Sequence, residues 1–82
     1  MVGETKEITV GKNKTVTIKR VTGFAFLSVY ANAQRNVAAC YRDLIVLCTN
    51  KSKEEAESLD YQEFVQTALE IIKLHEEDTM DF

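Results

Sequence analysis

The stretch TKEITVGKNKTVTIKRV, residues 5–21, decides the fold class of this 82-residue chain. Apolar and polar residues alternate on both sides of its centre, a period of two that is typical of a strand with one solvated face. Between the two runs, Gly11-Lys12-Asn13-Lys14 predicts a four-residue turn, because Gly and Asn readily adopt positive φ. We therefore expect a β-hairpin over about residues 5–21. An isolated hairpin is marginal in water, so its apolar face must pack on the rest of the chain.

The residues after the hairpin predict helices. Residues 23–49 place apolar side chains at helical spacing, and they come directly after Thr22, a residue type that caps helix N-termini well. The pattern alone does not distinguish one long helix from two. Asn36 is a poor helix former and a good cap, so we expect a break near residues 33–36.

Two further helix starts are marked by capping residues. Ser52 with Glu55 has the form of a capping box, which predicts a short helical turn at 53–58. Asp60 can cap a final helix at 61–75, and residues 76–82 lose the periodicity and are expected to fray. The apolar stripe of that final helix consists of Tyr61, Phe64, Val65, Ala68, Leu69 and Ile72, and Ile71 and Leu74 widen it.

The fold class predicted from these elements is α+β and mostly α, with an N-terminal two-stranded hairpin packed on two to four helices. We expect residues 1–82 to form a single domain, because a chain of this length builds only one core.

The charges of the chain are divided along its length. Residues 1–53 contain nine Lys/Arg and three acids, whereas residues 54–82 contain one Lys and ten acids. Such a split suits a small domain that meets a partner or another copy of itself. The candidate charge-steering residues are Lys12, Lys14, Lys19 and Arg20 at one end and Glu76, Glu77, Asp78 and Asp81 at the other.

Residue types that carry catalysis are scarce in this chain. His75 is the only histidine, and no glycine-rich phosphate loop is present. On one helix, Cys40 and Cys48 would be separated by about 12 Å of rise, too far for a disulfide. We expect two unreactive core thiols, a reduced cytoplasmic setting, no cofactor, no metal and no enzymatic activity. The longest apolar run, 44–48, is far shorter than a membrane span.

Aromatic and aliphatic residues exceed what one narrow helix stripe can bury. Phe24, Phe26 and Tyr30 fall on two adjoining faces of the first helix, and Ile71 and Leu74 lie beside the stripe of the last. Extra apolar breadth on small helices indicates either burial under the hairpin or an exposed patch for a partner. These five residues are the candidate partner interface, with a core role as the alternative.

Several segments together resemble a known family. An apolar helix end, LIVLC at 44–48, is followed by the Ser-x-x-Glu start at 52–55, by ESLD at 57–60 and by the amphipathic FVQTALEII at 64–72. This order resembles the small tail assembly chaperones of long-tailed bacteriophages, over most of residues 7–74. The chain lacks the proline that many members carry after the apolar helix.

The resemblance implies a non-enzymatic protein in the cytoplasm of the bacterial host. Such chaperones bind the long tape measure protein, keep it soluble and help recruit tail tube subunits, and we expect this chain to form a homo-oligomer. Two alternatives remain. The basic first two-thirds would suit a small nucleic-acid-binding regulator, although the isoelectric point of about 5.1 disfavours one. A homo-oligomeric structural module is the other.

Overall fold

The computed structural model describes residues 2–31 and 36–79, with the backbone alone for residues 77–79. Within these residues, a two-stranded antiparallel hairpin packs on four helices, which confirms the predicted fold class. The elements are β1 (Thr5–Val10), β2 (Lys14–Lys19), α1 (Gly23–Tyr30), α2 (Val37–Cys48), α3 (Lys53–Glu57) and α4 (Tyr61–Thr79).

The hairpin turn is one residue shorter than predicted. Val10 pairs with Lys14, so only residues 11–13 form the turn and Lys14 is already the first residue of β2. Gly11 and Asn13 have positive φ, 58° and 67°, as expected for these residue types. Three-residue loops that contain a residue in the left-handed region are a common way to connect hairpin strands.

The long helical region of the sequence consists of two helices. α1 ends at Tyr30 and α2 begins at Val37, so the prediction of two helices rather than one is confirmed. The side chain of Asn36 accepts a hydrogen bond from the backbone N–H of Ala39 at 3.0 Å, which makes it the N-cap of α2. Residues 33–35 of the predicted break lie outside the described residues.

Both predicted capping motifs are present. Ser52 and Glu55 form a complete capping box at the start of α3. The Asp60 carboxylate accepts from the Glu63 N–H at 2.8 Å and so caps α4. The predicted end of this last helix at residue 75 is wrong, since α4 continues to Thr79. Its last turn contains no Gly or Pro, and glutamate is a good helix former.

The core lies where the apolar face of the hairpin meets the helices. Its hairpin residues are Ile8, Val10 and Ile18, and α1 contributes Phe26. The helical residues that complete it are Cys40, Leu44, Ile45, Cys48, Ala56, Ile71, Ile72 and Leu74.

The inward face of α4 differs from the predicted stripe. Tyr61 is 80% exposed and Leu69 is 49% exposed, although the predicted stripe includes both. Ile71 and Leu74, expected only to widen the stripe, are buried together with Thr67. The buried face is therefore displaced by about one residue, or ~100° of helix rotation, from the one that apolar periodicity favours.

Candidate partner interface

Three of the five predicted interface residues belong to the core. Phe26, Ile71 and Leu74 are buried by packing of α1 and the hairpin against α4, so the expectation that they form an exposed patch is wrong. The Phe26 ring lies 4.4 Å from the His75 ring, nearly parallel at 8°, and 5.2 Å from the ring of Tyr30. Tyr30 is half-buried against the same cluster.

Phe24, the remaining predicted residue, is exposed. It is 85% exposed, and Leu27, one turn further along α1, is 58% exposed. The hydroxyl of Thr22 accepts from the Ala25 N–H at 3.1 Å and fixes the helix start, which directs Phe26 inward. We call Phe24 and Leu27 the outer face of α1. Sequence reasoning did not single out Leu27 for this surface, although its spacing of three from Phe24 was the available signal.

Two contacts from α4 hold the start of α1 in place. The Val21 N–H donates to Nε2 of His75 at 3.0 Å, and Nδ1 of His75 lies 2.7 Å from the Ile71 carbonyl oxygen. Because Nε2 accepts, the proton is on Nδ1, which donates to that carbonyl. Arg20 Nη2 donates to the carbonyl oxygen of Leu74 at 2.8 Å. These contacts fix the start of α1 and therefore the orientation of its outer face.

The tip of the hairpin is tied to the first half of α4. Nζ of Lys14 lies 2.9 Å from Oε1 of the buried Glu63, and the Gly11 N–H donates to Oε1 of Gln66 at 2.9 Å. The hydrogen bond with Glu63 raises the pKa of Lys14 above 10.5. A longer ion pair of 3.9 Å joins Lys6 to Glu70. Two of the hairpin lysines, Lys6 and Lys14, therefore pair with acids of α4.

The predicted charge-steering residues do not form two uniform poles. Lys12, Lys19 and Glu76 are exposed, as that role requires. Lys14 is also exposed but is paired with Glu63, and Arg20 is buried, so the prediction that Arg20 is a surface steering charge is wrong. Glu77 and Asp78 lie on α4, but their side chains, and all of Asp81, lie outside the described part.

A groove of about 350 Å³ opens between α2 and the corner that joins α3 to α4. We define this α2–α4 groove by Ala38, Ala39, Leu59, Tyr61 and Phe64, which line it. Asn36, Arg42 and Glu57 also line it, and Tyr61 is 80% exposed. The sequence predicted Tyr61 and Phe64 as one core stripe and gave no signal for this opening.

A smaller crevice of about 300 Å³ lies below the hairpin tip. Val10, Lys14 and Val16 from the hairpin face Glu63 and Thr67 across it. Among the described residues, the buried hydroxyl of Thr67 has no hydrogen-bond partner. A buried hydroxyl without a partner lowers the stability of the fold at this position.

The two cysteine thiols are buried, and the imidazole of His75 is hydrogen-bonded through both of its nitrogens. Burial raises the pKa of the Cys48 thiol to about 11, and burial also raises that of Cys40, so neither favours the reactive thiolate. Both nitrogens of His75 have backbone partners. Within residues 2–31 and 36–79 there is no cluster of three or more potential metal ligands.

None of the described helices is both long enough and apolar enough to cross a bilayer. No family model, curated protein or solved structure is significantly similar to the chain.

Proposed function

We propose that this chain is a non-enzymatic chaperone of phage tail assembly. In this role it binds the tape measure protein in the cytoplasm of the bacterial host and helps recruit tail tube subunits. The order of capped and apolar segments over residues 44–72, which resembles that family, supports the assignment. The observation that carries it is the outer face of α1, where Phe24 is 85% exposed and Leu27 is 58% exposed.

An exposed apolar helix face suits a protein that holds an amphipathic client. The segment Gly23–Tyr30 contains no charged residue, so nothing on α1 opposes contact with another apolar surface. Removing a phenylalanine side chain from water is worth about 1.5–3 kcal/mol, which is enough for reversible client binding when several copies act together. Charged residues elsewhere on the chain keep the assembly in solution.

The hairpin supports the nucleic-acid alternative less well. A basic ribbon that binds phosphates needs free cations along one side. Here Lys14 is paired with Glu63, Lys6 approaches Glu70, and Arg20 is buried. The outer face of α1 would also allow copies of the chain to associate, so self-association belongs to the proposal.

Co-expression with the client tests this function. The proposal expects a long tape measure reading frame beside the gene of this chain; the probe is the protein that this frame encodes, and the measurement is the fraction of it that stays soluble. A Phe24→Ser/Leu27→Ser double variant should lower the soluble fraction several-fold. The matched control is Val46→Ser/Leu69→Ser, which changes residues that are 38% and 49% exposed on other helices.

Two results would contradict the proposal. One is the absence of a long tape-measure-like reading frame in the gene neighbourhood. The other is equal client solubility with the double variant and with the wild-type chain. Light scattering of the purified chain, with and without the double substitution, then shows whether the same face supports self-association.

A further inference from the structure

The α2–α4 groove has the shape of a socket for an apolar side chain. Its α2 wall is lowered by Ala38 and Ala39, which have the smallest side chains apart from glycine. The Phe64 ring also lines the groove, and its centroid lies 6.2 Å from that of the Tyr41 ring. The volume of about 350 Å³ falls in the range of sites that bind ligands, about 300–1,000 Å³.

Two charged residues, Arg42 and Glu57, line the groove and pair with each other, and Asp43 beside them adds a second carboxylate. Nε of Arg42 lies 3.0 Å from Asp43 Oδ1, and its Nη1 lies 2.9 Å from Glu57 Oε2. One guanidinium therefore faces two carboxylates, and these hydrogen bonds raise the pKa of Arg42. The three side chains together carry a net charge of −1.

The other wall extends this negative charge. Residues 53–64, from the first residue of α3 into the first turn of α4, contain five acids and one cation, Lys53. One of these acids, Glu63, is paired with Lys14, and another, Glu57, is the partner of Arg42. The remaining three, Glu54, Glu55 and Asp60, are exposed. An apolar slot with an acidic rim is complementary to a partner with an apolar ridge flanked by cations.

We propose that the α2–α4 groove binds a basic amphipathic helix of a partner protein. An apolar side chain of that helix enters between Ala38 and Phe64, and its Lys or Arg residues face Glu57 and Asp60. This inference rests on the proposed client-binding function, and it specifies both a second contact surface and the chemistry of the client segment. The outer face of α1 supplies uncharged contact, whereas the groove selects helices by charge.

Two synthetic peptides of about 18 residues, or five helical turns, test the charge selection. One carries leucine at i, i+3, i+4 and i+7 with lysine elsewhere, and the other replaces every lysine with glutamate. Each is titrated into the ¹⁵N-labelled full chain, and amide shifts are followed by NMR. The lysine peptide should shift Ala38, Ala39 and Tyr61, and it should bind at least about tenfold more tightly than the glutamate peptide at low salt.

Substitutions locate the site. Ala38→Met fills the groove with a good helix former and should weaken binding of the lysine peptide several-fold. Ala31→Met adds the same side chain at an exposed position outside the groove and should leave binding unchanged. Equal binding of the two peptides, shifts centred on the hairpin or α1, or an Ala38→Met variant that binds normally would each overturn the groove proposal. If the groove proposal is overturned but the Phe24→Ser/Leu27→Ser variant still lowers the soluble fraction of the tape measure protein, the proposed chaperone function still stands.

Discussion

The backbone N–H of Val21 donates to Nε2 of His75 at 3.0 Å, across 54 residues of sequence. This bond joins the segment between hairpin and α1 to the second half of α4. The same imidazole stacks on Phe26, so it supports the inner face of α1 while the outer face remains in solvent. A single half-buried histidine therefore links α4 to the segment before α1 and to the inner face of α1.

Two substitutions of His75 distinguish the stability contributed by its hydrogen bond with Val21 from that contributed by its stacking on Phe26. His75→Phe keeps a ring against Phe26 but leaves the Val21 N–H without its acceptor, so we expect a loss of about 1–2 kcal/mol in the free energy of unfolding. His75→Ala should lose about 1 kcal/mol more, because the stacking is also removed. Urea denaturation followed by circular dichroism measures both. An unaffected His75→Phe variant would show that the bond does not contribute.

The turn glycine should resist substitution. Gly11 has φ +58°, and a Cβ there would lie 3.0 Å from Cγ of Glu63. Gly11→Ala should therefore destabilise the chain by about 1–2 kcal/mol and disturb the Lys14–Glu63 pair. Gly23→Ala is the matched control, because a Cβ at the start of α1 meets nothing within 4 Å. It should be neutral or stabilise by up to about 1 kcal/mol. Thermal melts with the opposite ranking would contradict this explanation.

The hydroxyl of Thr67 is expected to lower stability. It is buried, with no hydrogen-bond partner in the described part of the chain. Thr67→Val has nearly the same shape without the polar atom, so the free energy of unfolding should rise by about 1 kcal/mol. Thr67→Ser keeps the hydroxyl and loses the methyl group, and it should be less stable than wild type. A destabilised valine variant would mean that the hydroxyl is satisfied.

We expect the capping box of α3 to stabilise the fold at neutral pH and to lose this contribution in acid. Hydrogen bonds from the backbone and side chain of Ser52 lower the pKa of Glu55 from its usual 4.5. A lowered carboxylate pKa stabilises the fold above pH 4.5, and this contribution is lost as pH falls from there through the folded-state value. The fall in melting temperature between neutral and acid pH should therefore be smaller in Glu55→Ala than in wild type. Glu54→Ala, one residue away and outside the box, is the control and should retain most of the wild-type fall.

Local signals accounted for the elements of the fold. Alternation and the Gly-Asn turn predicted the hairpin, and Thr22, Asn36 and the Ser52–Glu55 pair each cap the helix that begins after them. These motifs act over three or four residues, so they operate in the same way whatever the rest of the chain does. The turn length and the end of α4 were missed, because small shifts at element ends depend on weak local preferences.

The candidate surface was predicted less well than the elements. Of the five proposed interface residues, Phe24 is exposed, whereas Phe26, Ile71 and Leu74 are core. Periodicity shows how wide an apolar surface is, but it does not show which part of that surface another element covers. The α2–α4 groove was missed for a related reason, since an opening depends on two walls that are distant in sequence.

The sequence by itself determined the hairpin, the helix starts, the charge division and the lack of an evident catalytic set. Only the tertiary structure decided the rotations of α1 and α4. Both helices carry more apolar residues than one face can bury, so packing against α2 and the hairpin selects which of them become core. That packing buries Ile71 and Leu74, brings Lys14 to Glu63 and turns Arg20 inward. It thereby leaves Phe24, Leu27 and Tyr61 exposed to solvent.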